Sequence, residues 1–175
     1  PNEEVFIQPS WTSEIYKTKA NNQALWELKI KTPNAGGPYI IKINGYNEII
    51  LKDVLIGEVW LCSGQSNMEM SAAWGIKNGD EAIKNASHPT IRFFTVPKTS
   101  AISPQNNLHG NWDVCSPETM KNSSAIAYYF AQRLQEDLKD VPIGLMVSAW
   151  GGTPAEIWMP EEVIEENKIL KEAAN

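Results

Sequence analysis

Residues 54–62 read VLIGEVWLC, and this stretch marks a change in the hydrophobic pattern of the chain. Before it, apolar and polar residues alternate, as in LWELKI at 25–30, which predicts half-buried antiparallel strands. From residue 54 onward the apolar runs are almost continuous, which is typical of parallel strands that are covered on both faces. We therefore predict a β-rich domain at 1–54 and an α/β domain at 55–175.

The β-rich part contains two further predicted strands, YIIKI at 39–43 and EIILKDV at 48–54. The pair Asn44-Gly45 between them is a strong hairpin-turn signal. Three or four short strands joined by tight turns are typical of a β-sandwich. Because so few strands cannot close a sandwich, we expect this domain to be partial.

The second part follows the order strand, helix, strand. TIRFFTV at 90–96 and PIGLMVSAW at 142–150 are apolar runs, and SSAIAYYFAQRLQEDLK at 123–139 has helical periodicity. This order predicts an open parallel sheet, with strands near 55–62, 90–96 and 143–149. The tail PEEVIEENKILKEAAN, at 160–175, predicts one helix that begins after its proline.

Composition excludes several classes of partner. The formal net charge of the 175 residues is −6, and lysine and arginine are scattered, so we expect neither a nucleic-acid partner nor an anionic membrane surface. No apolar run approaches the ~20 residues of a membrane span. A signal peptide is absent or already removed, because no basic region precedes an apolar one at the start. Cys62 and Cys115 form either a disulfide or two buried free thiols.

Two strand ends carry unusual residues, CSGQSNMEM at 62–70 and AWGGTPAEIW at 149–158. Ligands of open α/β sheets bind beyond the carboxyl ends of strands, so these are the candidate site segments. Each segment also has a structural interpretation, because Ser66 to Glu69 and Thr153 to Glu156 both match the S/T-x-x-E capping box. Capping and catalysis are compatible, since a serine at the start of a helix lies among positive partial charges.

The same segments resemble the sialate O-acetylesterase family of the SGNH hydrolases, over GEVWLCSGQSNMEM at 57–70 and VPIGLMVSAWGGTPAEIW at 141–158. The stretches TPNAGGPYIIKI, GNWDVCSPET and SSAIAYYFAQRL extend the resemblance in the same order along the chain. The resemblance implies a three-layer α/β/α, flavodoxin-like SGNH sheet. It also implies a carbohydrate O-acetylesterase that acts through a serine nucleophile and an acyl-enzyme, on sialic acid or a related acetylated sugar or glycan.

The family implies roles for particular residues of this chain. The nucleophile of its GQSNM motif falls on Ser66, and Ser63 is disfavoured because it precedes the turn. The oxyanion hole falls on the N–H groups of Ser66 and Gly152, with Gly151 allowing the backbone to approach. A polar side chain from a later block completes the hole in the family. Gln65 and Asn67 are expected to hold the loop through hydrogen bonds to the backbone. We expect no metal and no other cofactor.

A base for the serine is missing from the pattern. The family supplies a histidine with an aspartate three residues before it, whereas His88 and His109, the two histidines here, lack that aspartate and are predicted surface-loop residues. The later block is absent too, and the predicted sheet is short of strands. We therefore expect an N-terminal portion of an esterase that is nearly inactive alone, with a C-terminal polypeptide that completes the sheet as a candidate partner. The resemblance points to a secreted, periplasmic or lysosomal protein.

Two alternatives stay open. An acetylxylan-type esterase would use the same serine chemistry on another acetylated sugar. A non-catalytic glycan-binding module would use tryptophans at the strand ends and would need no base, although most of the seven tryptophans are expected to pack in the core or at its boundary. SGQSNM together with GGT favours an esterase, because a binding module needs no oxyanion hole.

Overall fold

The computed structural model describes residues 1–174. The chain divides into two compact units, one formed by Pro1–Glu58 with Asp140–Pro142, the other by Val59–Lys139 with the chain from Ile143 onward. Two four-stranded sheets and several helices confirm the predicted α/β class. The domains predicted at 1–54 and 55–175 stay a proposal, as does the interpretation of the first as part of a β-sandwich.

The first sheet lies in the β-rich part of the chain. Its strands are β1 (Glu4–Pro9), β2 (Tyr16–Lys19), β3 (Gly36–Asn44) and β4 (Glu48–Ile56). They lie in the order β2-β1-β3-β4, and every neighbouring pair is antiparallel. The hairpin of β3 and β4 turns at Gly45, as the Asn44-Gly45 signal predicts.

The strand predicted at 25–30 is wrong. These residues belong to no strand, although Trp26, Leu28 and Ile30 alternate with charged residues. Isolated bonds hold the segment instead: the Asn21 N–H donates to the Leu25 carbonyl at 2.8 Å, and the Thr18 hydroxyl donates to the Glu27 carbonyl at 3.1 Å. The Trp11 indole donates to the Lys31 carbonyl at 3.1 Å, just after the segment. Periodicity records which side chains alternate, but a strand also needs a partner backbone.

The second sheet contains the three predicted runs. Its strands are β5 (Glu58–Gly64), β6 (His88–Thr95), β7 (Trp112–Cys115) and β8 (Ile143–Ala149). They lie in the order β5-β8-β6-β7, with β6 and β8 parallel and β6 and β7 antiparallel. The predicted strand at 143–149 therefore lies between the other two. Strand β7 was not among the three strands predicted for this sheet, because its four residues are too few to show a period.

The two faces of the second sheet are covered unequally. One face buries the residues Ile91, Phe93, Ile143, Leu145 and Val147. On the other face Val59 and Leu61 of β5 are 61% and 68% exposed, and Trp112 of β7 is 43% exposed. The expectation that β5 is covered on both faces is therefore wrong for the described residues. Strand β5 is the outermost strand of the sheet, and the core residues of α4 pack on the face that buries Ile91 and Leu145.

Six helices accompany the strands among the described residues. They are α1 (Ser66–Glu69), α2 (Gly79–Asn85), α3 (Pro117–Met120), α4 (Ala125–Leu138), α5 (Glu161–Glu166) and α6 (Lys168–Ala174), with short 3₁₀ helices at Ala72–Trp74 and Ala155–Trp158. The predicted helix at 123–139 is α4, capped by the Ser124 hydroxyl, which accepts from the Ala127 N–H at 3.2 Å. Its buried face, centred on Tyr128, packs in the core.

The single tail helix predicted at 160–175 is wrong, because Asn167 interrupts it. The Asn167 backbone is extended, and its side-chain oxygen accepts from the N–H groups of Ile169 and Leu170 at 3.0 and 3.2 Å. Asparagine caps a new helix well, so α6 begins after it. Residue 175 of that prediction lies outside the described residues.

The two cysteines are free thiols, and both are buried. Strands β5 and β7 form opposite edges of the sheet, three strand spacings or roughly 14 Å apart. Cys62 and Cys115 are therefore too far apart for a disulfide, which needs α-carbons within ~7 Å. Burial raises the pKa of both thiols, that of Cys115 to about 11.

No helix within residues 1–174 is long and apolar enough to cross a membrane. The same residues hold no cluster of three or more histidine, cysteine or acidic side chains that would bind a metal ion.

Candidate active site

The candidate site begins where β5 and β8 end side by side. The Trp150 N–H donates to the Gly64 carbonyl at 3.0 Å, which joins the two strand ends. Gly64 has φ +143° and Gly152 has φ +80°, and residues other than glycine rarely adopt such positive φ values. Glycine at these two positions lets the backbone turn sharply after β5 and after β8, at the same end of the sheet.

Ser66 lies directly after the first of these turns, as the first residue of α1, and is half-buried. Gln65 is the N-cap residue, and no side chain caps the helix. The Ser66 hydroxyl donates to the Gln65 side-chain oxygen at 3.1 Å. The capping box predicted from Ser66 to Glu69 is therefore absent, and the side chains of both residues are directed to other partners.

The Gly151 backbone lies against Ser66. A β-carbon built on Gly151 would lie 3.4 Å from the Ser66 Cβ and 2.8 Å from the Glu69 Oε2. The Gly151 N–H donates to that carboxylate oxygen at 2.5 Å. A β-carbon built on Gly152 would meet no atom within 4 Å, so the space beside the Gly152 α-carbon is open.

The Glu69 carboxylate connects three chain segments. Besides the Gly151 N–H, the Glu69 carboxylate binds the ammonium group of Lys98, a residue that follows β6 in the chain. The Glu69 side chain is 21% exposed and that of Lys98 is 43% exposed, so the ion pair is partly open to water on the lysine side. The hydrogen bond from Lys98, and after it the bond from the Gly151 N–H, lower the pKa of the Glu69 carboxyl from 4.5. The carboxylate is therefore ionised at neutral pH.

The capping box predicted from Thr153 to Glu156 is also absent. Pro154 is the N-cap of the 3₁₀ helix, and the Thr153 hydroxyl instead donates to the Trp150 carbonyl at 2.7 Å. The same hydroxyl accepts from the Trp158 indole at 2.8 Å. These two bonds fold the loop after β8 back on itself.

The remaining predicted loop residues lie on the surface. Gln65 and Asn67 are exposed, and Gln65 contacts the Ser66 hydroxyl rather than the backbone. Ser63 is exposed within β5, before the turn. The Gln65 side-chain oxygen therefore accepts from Ser66 instead of from the backbone of the loop.

Neither histidine lies beside Ser66. His88 starts β6, seven residues or ~23 Å from the end of that strand at the site edge. Its Nε2 lies 3.2 Å from the Tyr128 hydroxyl and 3.3 Å from the Gln132 amide nitrogen, so the predicted surface-loop position is wrong for His88. His109 is exposed in the loop between β6 and β7, as predicted, and among the described residues the Ser66 hydroxyl is bonded to Gln65 and not to a histidine.

A cavity of about 320 Å³ opens beside Glu69 at the carboxyl ends of β6 and β8. Its polar lining comes from Glu69, Lys98, Asn122 and Ser71, and Trp74, which is 57% exposed, adds an aromatic wall. The Ser71 hydroxyl is buried without a hydrogen-bond partner. An aromatic ring beside polar groups is suited to a sugar, which has apolar ring faces and hydroxyl edges.

Sequence reasoning missed Lys98 and Trp74 at this edge and gave Glu69 only a capping role. Lys98 follows the apolar run 90–96, so its place after a strand end was a usable signal. Nothing in the local sequence pairs Glu69 with a backbone N–H 82 residues later.

The comparison with protein families identifies the chain. Residues 56–175 match the family of carbohydrate esterases described as sialic acid-specific acetylesterases. The chain belongs to this family. The matched segment includes Ser66, Glu69, Gly151 and the residues that line the cavity, so the candidate site lies in the matched part.

Individual relatives agree with this assignment. The rat sialate O-acetylesterase is 31% identical over 153 residues, which cover 80% of this chain and 28% of the relative. The human sialate O-acetylesterase is 30% identical over 164 residues, which cover 86% of this chain and 31% of the relative. The chain thus spans about three tenths of the length of these curated relatives.

A solved structure shares the fold. The crystal structure of a carbohydrate acetylesterase from Xanthomonas citri superposes with a TM-score of 0.87 and 33% sequence identity. The match covers 94% of this chain and 38% of the Xanthomonas chain.

Proposed function

We propose that this chain carries the serine nucleophile and the oxyanion donors of an enzyme that removes acetyl groups from hydroxyls of sialic acid or a related sugar. One observation carries the proposal: Ser66 and Gly151, which follow two different strand ends, lie against each other, and Gly152 is the next residue. A nucleophile and backbone donors within one site are what acyl transfer requires. Membership of the acetylesterase family and the names of the relatives support the choice of an acetylated sugar.

The reaction on this geometry has two halves. The Ser66 Oγ attacks the acetyl carbonyl carbon while a base takes its proton, and the Ser66 and Gly152 N–H groups stabilise the oxyanion. Collapse breaks the ester bond, the sugar hydroxyl leaves with the proton, and acetyl-Ser66 remains. Water then attacks the acyl group, which releases acetate and restores the serine.

The base has to come from outside residues 1–175 on this proposal. His88 and His109 are the two histidines of the sequence; His88 starts β6, at the other end of that strand from the site, and neither has the aspartate three residues before it that the family pattern requires. The isolated chain should therefore hydrolyse p-nitrophenyl acetate barely above background. Serine hydrolases without their base keep at most a residual ~10³–10⁴-fold over water.

The open face of the second sheet is the proposed contact for a C-terminal polypeptide. Val59, Leu61, Trp112 and Val114 expose apolar area there, and such contiguous area usually marks an interaction surface. The curated relatives are about three times as long as this chain, so they contain polypeptide to cover it. On this proposal the same C-terminal polypeptide would both cover this face and supply the base.

The cavity beside Glu69 is the proposed sugar site. Trp74 offers its ring to a sugar face, and Asn122 and Ser71 offer hydrogen bonds to hydroxyl groups. Trp74→Ala should raise the KM for an acetylated sugar about tenfold, by analogy with the 1–3 kcal/mol of an aromatic stack, and leave kcat for p-nitrophenyl acetate nearly unchanged. Trp26→Ala is the matched control, because Trp26 is also half-exposed but does not line the cavity.

Acetate release by the full-length enzyme tests the function. We expect release from O-acetylated sialic acid to be abolished by Ser66→Ala and retained by Ser63→Ala, because Ser63 lies before the turn. Acetylated xylan as the better substrate would favour the acetylxylan-type alternative. Sugar binding without any acetate release would favour the non-catalytic module, and full activity of Ser66→Ala would overturn the nucleophile.

A further inference from the structure

The Glu69 carboxylate occupies an unexpected position for a site that has to stabilise an oxyanion. It accepts a hydrogen bond from the Gly151 N–H, one residue before the proposed donor Gly152, and Ser66 lies one helical turn away. A negative charge at this distance would oppose the negative charge that develops on the acetyl oxygen. Two questions follow: what the hydrogen bond between Glu69 and Gly151 contributes to the site, and what compensates the negative charge of the Glu69 carboxylate.

The advantage lies in orientation. The loop after β8 contains two consecutive glycines, which makes its backbone intrinsically free to rotate. Holding the Gly151 N–H fixes the Trp150–Gly151 peptide, which directly precedes the peptide that carries the Gly152 N–H, and it leaves the Gly152 N–H for the oxyanion. Because Glu69 belongs to the same helix as Ser66, one side chain sets the position of the donor relative to the nucleophile.

The compensation comes from Lys98. Its ammonium pairs with the Glu69 oxygen that does not bind Gly151, on a side chain that is mostly shielded from water. The pair as a whole is neutral, so it can lie beside the oxyanion without opposing it.

We propose that Glu69 is the positioning residue of the oxyanion hole and that Lys98 neutralises it. This inference rests on the proposed function. It assigns Glu69 to the alignment of Gly152 with Ser66, and it assigns Lys98 to charge compensation rather than to the substrate.

Four variants of the full-length enzyme separate orientation from charge. Glu69→Ala removes both contacts and should lower kcat about 10-fold to 100-fold, less than the ~10²–10³ for deleting an oxyanion donor. Glu69→Gln keeps an oxygen for the Gly151 N–H and should keep kcat within about fivefold. Lys98→Met leaves the carboxylate uncompensated and should lower kcat about tenfold, whereas Lys98→Met with Glu69→Gln should regain the kcat of Glu69→Gln.

The recovery of kcat in the double variant, compared with the free energy of unfolding of the same four variants, is the decisive readout. A merely structural ion pair would change the free energy of unfolding but leave the kcat of the folded enzyme unchanged. KM for p-nitrophenyl acetate should change less than kcat in all four. Wild-type kcat in Glu69→Ala, with Ser66→Ala inactive, would overturn this inference alone. Full activity in Ser66→Ala would overturn the proposed function and this inference with it.

Discussion

The backbone N–H of Trp150 donates a hydrogen bond of 3.0 Å to the carbonyl oxygen of Gly64. This bond aligns the carboxyl ends of β5 and β8, although 86 positions separate the two residues by their numbers (150 − 64). Ser66 follows one residue of the pair by two positions, and Gly152 follows the other by two. The candidate nucleophile and donor are therefore brought together by strand pairing, before any side chain contributes.

Gly152→Ala should lower kcat through the backbone. Gly152 has φ +80°, where alanine costs about 1–2 kcal/mol, so the loop will relax and turn the N–H away from the oxyanion. We expect a loss of about tenfold or more in kcat for p-nitrophenyl acetate in the full-length enzyme, measured at saturating substrate.

Gly75→Ala is the matched control for that variant. Gly75 has φ +84°, and, like Gly152, it has no atom within 4 Å of the position that a β-carbon would take, so the strain is the same. The two variants should lose equal free energy of unfolding, but only Gly152→Ala should lose kcat. Equal kcat in both would contradict a role for Gly152 in the oxyanion hole.

The Glu69 ion pair should make stability depend on pH. Its folded-state pKa is lowered from 4.5, so its contribution is fully present above pH 4.5 and is lost as the pH falls through the lower folded value. The difference in free energy of unfolding between the wild type and Glu69→Gln should be largest near neutral pH and shrink below pH 4.5. Urea denaturation followed by tryptophan fluorescence measures it.

Glu118→Gln provides the comparison, because the pair of Glu118 with Lys121 is exposed on the surface. Such a pair contributes little, so this variant should differ from the wild type by less than about 0.5 kcal/mol at neutral pH. A difference for Glu69→Gln that grows toward acid pH would contradict the assigned direction of the pKa shift.

Ser124→Ala should destabilise the second unit. The buried Ser124 hydroxyl accepts from the Ala127 N–H and caps α4, so its loss should cost about 1 kcal/mol of unfolding free energy in urea. Ser87→Ala, at an exposed serine before β6, should cost less than about 0.5 kcal/mol. Equal effects would show that the α4 cap contributes nothing measurable.

The two thiols should be unreactive in the folded chain. Cys62 and Cys115 are buried, and burial raises the pKa of both, so little thiolate is available to a disulfide reagent at mildly alkaline pH. Two thiols per chain should react once guanidinium chloride unfolds the protein. Fewer than two under those conditions, without reductant, would reveal a disulfide.

Much of the second sheet was predictable from local pattern. The runs at 54–62, 90–96 and 142–150 are apolar enough to identify strands, and the period of 123–139 identifies α4. The errors came where an element depends on a distant partner or on one residue. LWELKI alternates without a neighbouring strand, and Asn167 divides a helix that propensity alone would continue.

The candidate site, too, has features that local sequence predicts and features that depend on distant residues. The sequence by itself determined that a serine and a pair of glycines follow two apolar strands, because strand and turn preferences are local properties of the chain. Only the tertiary structure decided that Glu69 binds Gly151 and Lys98 instead of capping α1. A carboxylate takes the donors that the fold places within its reach, and hydrogen-bond geometry between residues 82 positions apart depends on strand order, which no local pattern contains.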